Sequence, residues 1–504
     1  MMTENRSSSL GALAAATGEL LLSSTGDLDS PVTGVCYDSR NVRGGDLFFC
    51  IPGATADGHR FAPEAVSAGA AALCVERSLD LGVPEIVVSD ARRAMARAGA
   101  AFLGFPSQEL LLIGVTGTNG KTTTVFLLES ILRAAGHTTG LIGTIETHIG
   151  DETRPGVRTT PESLDLQMLF AEMVERDVAA VAMEVTSHAL VLGRVEGVLF
   201  HSVGFTNLSQ DHLDFHPSME EYFAAKQLLF TQEYAERGAA NVDDAHGREV
   251  LKAATIPSLG FGTSPDATVR AERVELHPTG TNFLLVVDGG GTTGETKIST
   301  ALVGEFNVSN SLAAAACALQ AGIGLEAIAE GLRAVESVPG RFESIDAGQP
   351  FSVVVDYAHT PDSLENVLNA ARSLVEATGE GRVICVFGCG GDRDKMKRPL
   401  MGEAVARLAD IAIVTSDNPR SEDPLAIIDQ ILVGFAELRP QGPDAVCPDR
   451  REAIAEAFGH ARPGDVVVIA GKGHETGQEF ADHTIPFDDR VVAREELQAL
   501  GYPS

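Results

Sequence analysis

Apolar runs separated by glycine, proline and aspartate set the pattern of this chain. Leu110–Val115, Val178–Val185 and Val198–Phe205 carry apolar residues at nearly every position, as expected of parallel strands covered on both faces. After Pro339-Gly340 the pattern restarts with Phe351–Asp356, Val383–Phe387, Ile411–Thr415 and Val466–Ala470. Helical periodicity fills the intervals, over Ala91–Phe102, Thr122–Ala135 and the alanine-rich Asn307–Gln320. Asp46–Ile51 and Ala71–Glu76 predict short strands of an N-terminal unit, and residues 268–303 alternate in the manner of antiparallel hairpins. Leu10–Leu22 reads as a buried helix, not a leader, because Glu19 interrupts it and only Arg6 precedes it. Gly104–Ser107 reads as a linker. Strands alternating with helices predict an α/β protein of more than one domain.

At 504 residues the chain exceeds one ordinary core. A hydrophobic share of 44% decides against a disordered chain. The formal net charge of −32 repels phosphate backbones, which excludes general nucleic-acid or anionic-membrane binding. Any phosphate must therefore be gripped locally, by backbone amides and a few placed cations. No apolar run of about 20 residues predicts a spanning helix, so no membrane insertion is expected. The 7 cysteines are scattered, which points to reduced thiols and a cytoplasmic location. Only 7 of the 38 basic residues are lysine, and several of these fall in the motifs below.

Nearly every conspicuous polar motif directly follows a predicted strand, where open parallel sheets bind ligands. Gly117-Thr-Asn-Gly120-Lys121-Thr122-Thr123 lies between strand and helix. Its glycines free backbone N–H groups for a phosphate, Lys121 suits the β/γ-phosphates and the Thr122 hydroxyl suits Mg²⁺. Val115 stands where the common form of this loop begins with glycine. Glu184 and His188 follow the next strand, and His212 closes Asn207-Leu-Ser-Gln-Asp-His212, so a carboxylate and imidazoles converge on the loop as candidate metal ligands. Each has an alternative as a cap or an ordinary loop histidine. Lys226, in Tyr222–Phe230, reads by itself as a solvated helix lysine. In the last third, Arg393 and Arg420 suit bidentate carboxylate binding, while Asp417 and Glu475 suit an ammonium; together they make a zwitterion site.

The ordered set Gly117–Thr123, Met183–His188, Asn207–His212, Ala225–Phe230 and Asp356–Pro361 resembles the Mur ligases of peptidoglycan synthesis over nearly the whole chain. Asp417-Asn418-Pro419-Arg420 resembles the signature of members that add meso-diaminopimelate. The resemblance implies three domains: an N-terminal UDP-substrate-binding domain over 1–106, a central P-loop ATPase domain over 107–338 and a C-terminal Rossmann-like domain over 339–504. It implies ATP contacts at Gly117, Thr118, Asn119, Gly120, Lys121, Thr122, Thr123, Arg341 and Asp356. It implies Mg²⁺ at Thr122, Glu184, His212 and Lys226, with Lys226 carbamoylated by CO₂. Tyr37, Ser39, Ala54, Thr55, Ala56, Thr159, Thr160, Thr186 and Arg194 match positions facing the UDP-N-acetylmuramoyl-dipeptide. Arg393, Asp417, Asn418, Pro419, Arg420, Gly471 and Glu475 match the diaminopimelate site. Lys121, Lys226, His212 and His359 are the implied catalytic set, with His359 either a proton acceptor or a phosphate contact.

Thr186 stands where many members have serine, and Leu192 where some have glutamine. The implied activity is ATP-driven amide formation through an acyl phosphate, by a monomer. A lysine-adding sibling, a folylpolyglutamate synthase and a non-catalytic nucleotide switch are the rivals. The Asn-Pro-Arg sequence argues against the first two, and the absence of an Asn-Lys-x-Asp motif against the last.

Overall fold

The computed structural model describes residues 6–53, 56–379 and 381–502. Three sheets organise it. The first has five strands in the order Leu21–Thr25, Glu85–Val88, Ala72–Val75, Asp46–Phe49 and Gly34–Cys36, parallel except at Leu21–Thr25. Helix Ala91–Phe102 packs on it and starts where the Asp90 carboxylate accepts from the backbone N–H groups of Arg92 and Arg93. Leu164 and Ala171, from helix Ser163–Glu175, complete this core, which fastens the first unit to the second.

The second sheet has 11 strands. Its parallel centre runs Thr139–Ile142, Ala180–Glu184, Leu111–Thr116, Ser202–Phe205, Gly238–Asn241 and Ser258–Gly262. Leu111–Thr116 therefore lies between Ala180–Glu184 and Ser202–Phe205, and the loops leaving these three strands meet at one sheet edge. An antiparallel meander of Val269–His277, Gly280–Gly289 and Thr292–Thr300 extends the far side. The third sheet has six strands, ordered Glu343–Ser344, Ser352–Asp356, Val466–Ala470, Val383–Phe387, Ile411–Thr415 and Ala445–Cys447, parallel after the first.

Two sequence expectations need correction. Leu10–Leu22 is not one helix: the helix covers Leu10–Ala16, Gly18 turns the chain at φ +62°, and Leu21–Thr25 pairs with Glu85–Val88. Of the run Val198–Phe205, only Ser202–Phe205 forms a strand, while Phe200 makes an isolated bridge to Ala235. Among the described residues no helix is long and apolar enough to cross a membrane.

Helix Lys121–Ala134 is held from outside by Leu325–Ala334, at Gly331. A β-carbon there would lie 2.4 Å from Ile131 Cα and 2.6 Å from its backbone N. The Ser130 hydroxyl donates to the Gly331 carbonyl at 2.8 Å. We expect Gly331→Ala to destabilise the central unit by about 2 kcal/mol through this backbone contact. Denaturant unfolding followed in that unit checks it; an unchanged midpoint would show that the two helices separate freely.

Candidate functional site

The phosphate-loop geometry begins with two glycines. Gly117 has φ +148°, and a β-carbon on it would fall 1.8 Å from Thr206 Oγ1. Gly120 has φ +84°, and its β-carbon would meet Asn310 Oδ1 at 2.2 Å. Only glycine fits either place. The loop then enters helix Lys121–Ala134. Lys121 Nζ donates to the carbonyls of Gly117 at 2.9 Å and Thr118 at 2.8 Å.

Lys226 is not solvated. It is 1% exposed, donates to the Gly117 carbonyl at 2.8 Å and lies 4.4 Å from the centre of the Tyr222 ring. Two lysines thus share one carbonyl. Loss of solvent pushes both ammonium pKa values down, and Lys121 depresses Lys226 further.

Glu184, buried at the end of its strand, accepts from Thr122 Oγ1 at 3.0 Å, from the Thr144 backbone N–H at 2.8 Å and from the Thr144 hydroxyl at 3.2 Å. His188 and His212 stand edge to face with ring centres 4.8 Å apart. Desolvation pushes His188 down to about 4 and His212 to about 3, so both imidazoles are neutral at neutral pH. Asp211, held low despite its burial by His212, His359 and Lys397, faces His359 Nε2 at 3.9 Å and Lys397 Nζ at 4.0 Å.

The third unit closes over this edge. Arg341 Nη2 donates to Thr122 Oγ1 at 3.1 Å while its guanidinium lies 4.5 Å from the centre of the Tyr357 ring. Asn119 Nδ2 donates to Asp362 Oδ2 at 2.6 Å, and Gln210 Nε2 to Asp394 Oδ2 at 3.3 Å. Asp356 accepts from the Phe342 backbone N–H at 2.7 Å, yet burial raises its carboxyl to about 6. His359 is lowered to about 4 by desolvation; its Nδ1 lies 2.8 Å from the Tyr357 carbonyl, which can only accept, so Nε2 carries the lone pair.

The loop residues 118–123 with Glu184, His188, Asp211, His212, Arg341, Asp356 and His359 line one cavity of about 570 Å³ that also reaches Thr159, Thr160, Thr186 and Arg194. Thr160 Oγ1 donates to the Glu184 carbonyl at 2.9 Å, and Thr186 Oγ1 caps the helix Ser187–Val191. Beside them Glu162 gathers Arg92, Arg158 and Arg194 at 2.6, 2.7 and 2.9 Å. Three guanidiniums on one carboxylate leave a basic wall suited to an anion.

Tyr37 lines a separate cavity of about 360 Å³ and donates to Asp165 Oδ2 at 2.6 Å. Ser39 donates to Glu64 Oε2 at 3.1 Å. The Ala56 carbonyl accepts from Gly53, while Ala54 and Thr55 lie outside the described residues.

The proposed amino-acid residues gather on the third sheet's strand ends. Asn418 Nδ2 donates to Glu475 Oε2 at 2.7 Å, and buried Lys472 donates to Asn418 Oδ1 and Glu475 Oε2, both at 2.9 Å. A β-carbon on Gly471 would lie 2.4 Å from Asp417 Oδ2. A β-carbon on Gly390 would lie 3.0 Å from Arg420 Nη1 and 3.9 Å from Arg393 Cγ. The Pro419 carbonyl accepts from the Glu422 backbone N–H.

Sequence reasoning passed over Asp211, Asn310, Thr144, Arg92, Arg158, Asp362 and Lys472. Asp211 adjoins His212 in a motif already singled out. Asn307 and Asn310 form a polar stripe in an otherwise alanine-rich helix, a signal that was available. Lys472 lies between Gly471 and Glu475, both already named, and is one of only 7 lysines, while nothing local marks Thr144, Arg92, Arg158 and Asp362.

Fold and site define a three-unit α/β protein built on a P-loop, with a phosphate-ready cleft shared between the central and last units. Three family models match in order: "Mur ligase family, catalytic domain" over residues 31–106, "Mur ligase middle domain" over 115–318 and "Mur ligase, glutamate ligase domain" over 340–473. The chain is 51% identical over 472 residues to the UDP-N-acetylmuramoyl-L-alanyl-D-glutamate--2,6-diaminopimelate ligase of Geobacillus kaustophilus, covering 92% of this chain and 94% of that one. It is 49% identical to the protein of the same name from Streptomyces coelicolor, covering 94% of each. A solved structure of a ligase of that name matches with TM-score 0.69 at 32% identity, over 98% of this chain and 99% of that one. The chain belongs to the Mur ligase family.

The raised Asp356 carboxyl has a pH consequence. Its ordinary value is 3.8 and its folded value about 6, so ionisation costs the folded state stability above pH 6 and nothing below pH 4. Asp356→Asn keeps an acceptor for Phe342 N–H and removes that cost. We expect it to raise stability by about 2 kcal/mol at pH 7.5, with the gain vanishing toward pH 4. Thermal unfolding at both pH values checks this; a gain independent of pH contradicts it.

Proposed function

We propose that this chain is an ATP-dependent ligase. It joins meso-diaminopimelate to the D-glutamyl carboxyl group of UDP-N-acetylmuramoyl-L-alanyl-D-glutamate, in the cytoplasm, as a step of peptidoglycan precursor synthesis. The observation that carries this reading is one continuous cavity. It joins the phosphate loop with its Lys121, the Arg158 and Arg194 guanidiniums held by Glu162, and Arg341 reaching over from the third unit.

Gly117–Thr123 receives the ATP phosphates, and Lys121 exchanges its loop carbonyls for phosphate oxygens. Thr159, Thr160, Thr186 and Arg194 hold the muramoyl-dipeptide, while Tyr37, Ser39, Ala54, Thr55 and Ala56 hold the uridine end. The substrate carboxylate attacks the γ-phosphorus and ADP leaves. The resulting acyl phosphate is attacked at carbon by the diaminopimelate amine, and phosphate departs. Arg341 and Lys121 balance the charge that accumulates, so positioning and electrostatics dominate the rate. His359 offers Nε2 to the proton leaving the amine.

The Thr122 hydroxyl and Glu184 carboxylate form a hard oxygen pair beside the loop, a donor set that fits Mg²⁺, which takes few protein ligands and keeps its waters. Neutral His212 and Lys226 stand ready to complete the set. Magnesium supplies neutralisation of phosphate charge when bound. Among the described residues Lys226 has no carboxylate within salt-bridge reach, and its pKa is depressed, which favours the neutral amine that CO₂ requires; its carbamate would add an anionic oxygen donor.

The amine substrate binds among Arg393, Asp417, Asn418, Pro419, Arg420, Gly471 and Glu475. Arg420 meets the distal carboxylate that distinguishes diaminopimelate from lysine. With lysine that guanidinium would lose its ligand partner, at a cost of about 1–3 kcal/mol.

A coupled assay tests the proposal. Protein, ATP, Mg²⁺ and the UDP-muramoyl-dipeptide are combined with meso-diaminopimelate or L-lysine, and phosphate release and product mass are read together. Tripeptide product with diaminopimelate alone is expected; product with lysine would overturn the specificity, and no product with either would overturn the activity. Arg420→Ala should raise the diaminopimelate KM by about tenfold or more and weaken discrimination against lysine. Unchanged discrimination would remove Arg420 from the carboxylate site.

A further inference from the structure

The hairpin Gly477–Glu479 and Thr484–Pro486 lies against the loop Asp417–Arg420. Gln478 Nε2 donates to the Asp417 carbonyl at 2.7 Å, and the Glu479 backbone N–H to Asn418 Oδ1 at 3.0 Å. The Arg420 backbone N–H donates to the Glu479 carbonyl at 3.0 Å, and Arg420 bridges to Phe480. These contacts hold Arg420 at φ +50°, an uncommon conformation for a residue with a β-carbon. None of them involves the Glu479 side chain.

That side chain has another target. Glu479 Oε2 accepts from Arg420 Nε at 2.8 Å, while Arg420 Nη1 donates to the Gly391 carbonyl at 2.8 Å. Nη2 makes no hydrogen bond among the described residues. The guanidinium is thus pinned at two of its three nitrogens, and the third is left as the donor for an incoming group.

We propose that Glu479 is a positioning residue for amine-substrate selection: its carboxylate fixes the plane of the Arg420 guanidinium so that the free donor edge meets the substrate's distal carboxylate. The proposal rests on the reading that Arg420 receives that carboxylate. Arginine binds carboxylates through a rigid planar fork, so fixing the plane before binding removes an ordering cost that would otherwise fall on the ligand. Glu479 itself is half in solvent, with 52% of its side chain exposed, so replacing it leaves no buried cavity. The backbone bonds that shape the loop persist in any side-chain variant.

The test compares Glu479→Ala, Glu479→Gln, Arg420→Ala and the Arg420→Ala/Glu479→Ala double variant in the ligation assay with meso-diaminopimelate. Glu479→Ala should raise the diaminopimelate KM about fivefold, with kcat and the KM values for ATP and the UDP-muramoyl-dipeptide unchanged. Glu479→Gln keeps an acceptor oxygen at the same reach and should restore a KM close to that of the unaltered protein. The double variant should be no worse than Arg420→Ala alone, because Glu479 acts only through Arg420. An unchanged KM in Glu479→Ala, no rescue by glutamine, or additive losses in the double variant would each overturn the proposal. If Arg420→Ala raises the KM and Glu479→Ala does not, the Glu479 assignment alone falls. If Arg420→Ala leaves the KM unchanged while product forms, the reading of Arg420 falls with it.

Discussion

The Gly117 carbonyl accepts hydrogen bonds from two lysine side chains, and the rest of the site depends on that arrangement. Lys121 arrives from the adjoining helix and Lys226 from a helix more than a hundred residues further on. Holding two amines together away from water is costly unless an anion or a proton loss relieves it. Among the described residues no carboxylate lies within salt-bridge reach of either lysine, so the relief is left to a ligand or to chemistry at the amine. Gly117 can accept both because its backbone takes a conformation closed to other residues, pressed against Thr206. The neighbouring strand ends then bring Glu184 and His212 to the same edge, because Leu111–Thr116 is the strand between theirs.

This edge is only part of a site. Arg341, Asp362 and Asp394 reach it from the third unit, through bonds to Thr122, Asn119 and Gln210. Helix Ser163–Glu175 ties it to the first unit, and Glu162 beside that helix gathers arginines from both. A chemistry that needs a nucleotide, an acid and an amine at once suits a site assembled from more than one unit. Polar contacts across the cleft suit closure and reopening around substrates.

Much of this was legible in the sequence, for a physical reason. Buried parallel strands must be apolar throughout, so Val383–Phe387, Ile411–Thr415 and Val466–Ala470 match their predicted spans, as does helix Ala91–Phe102. The glycine loop was equally plain, since its backbone admits few other residues. What failed depends on distant partners. Leu21–Thr25 is a strand because Glu85–Val88 pairs with it, and local periodicity carries no trace of that. Lys226 looked solvated because exposure is the default for a lone helix lysine; the loop at Gly117 and the ring of Tyr222 bury it. Family resemblance, unlike residue pattern, implied that Lys226 belongs beside the phosphate loop, where its bond to Gly117 puts it. Arg92 and Asp362 were hidden from both, since each matters through a contact formed only in the folded chain.

The central claim is that the loop carbonyl holds its lysines in readiness for a polyphosphate. Calorimetric titration of ATP in Mg²⁺ into the unaltered protein and into Lys121→Met tests it most directly. Methionine keeps the length of the side chain and removes the charge. The account predicts at least about a tenfold loss of ATP affinity with the fold intact. Equal affinity in the two proteins would contradict it.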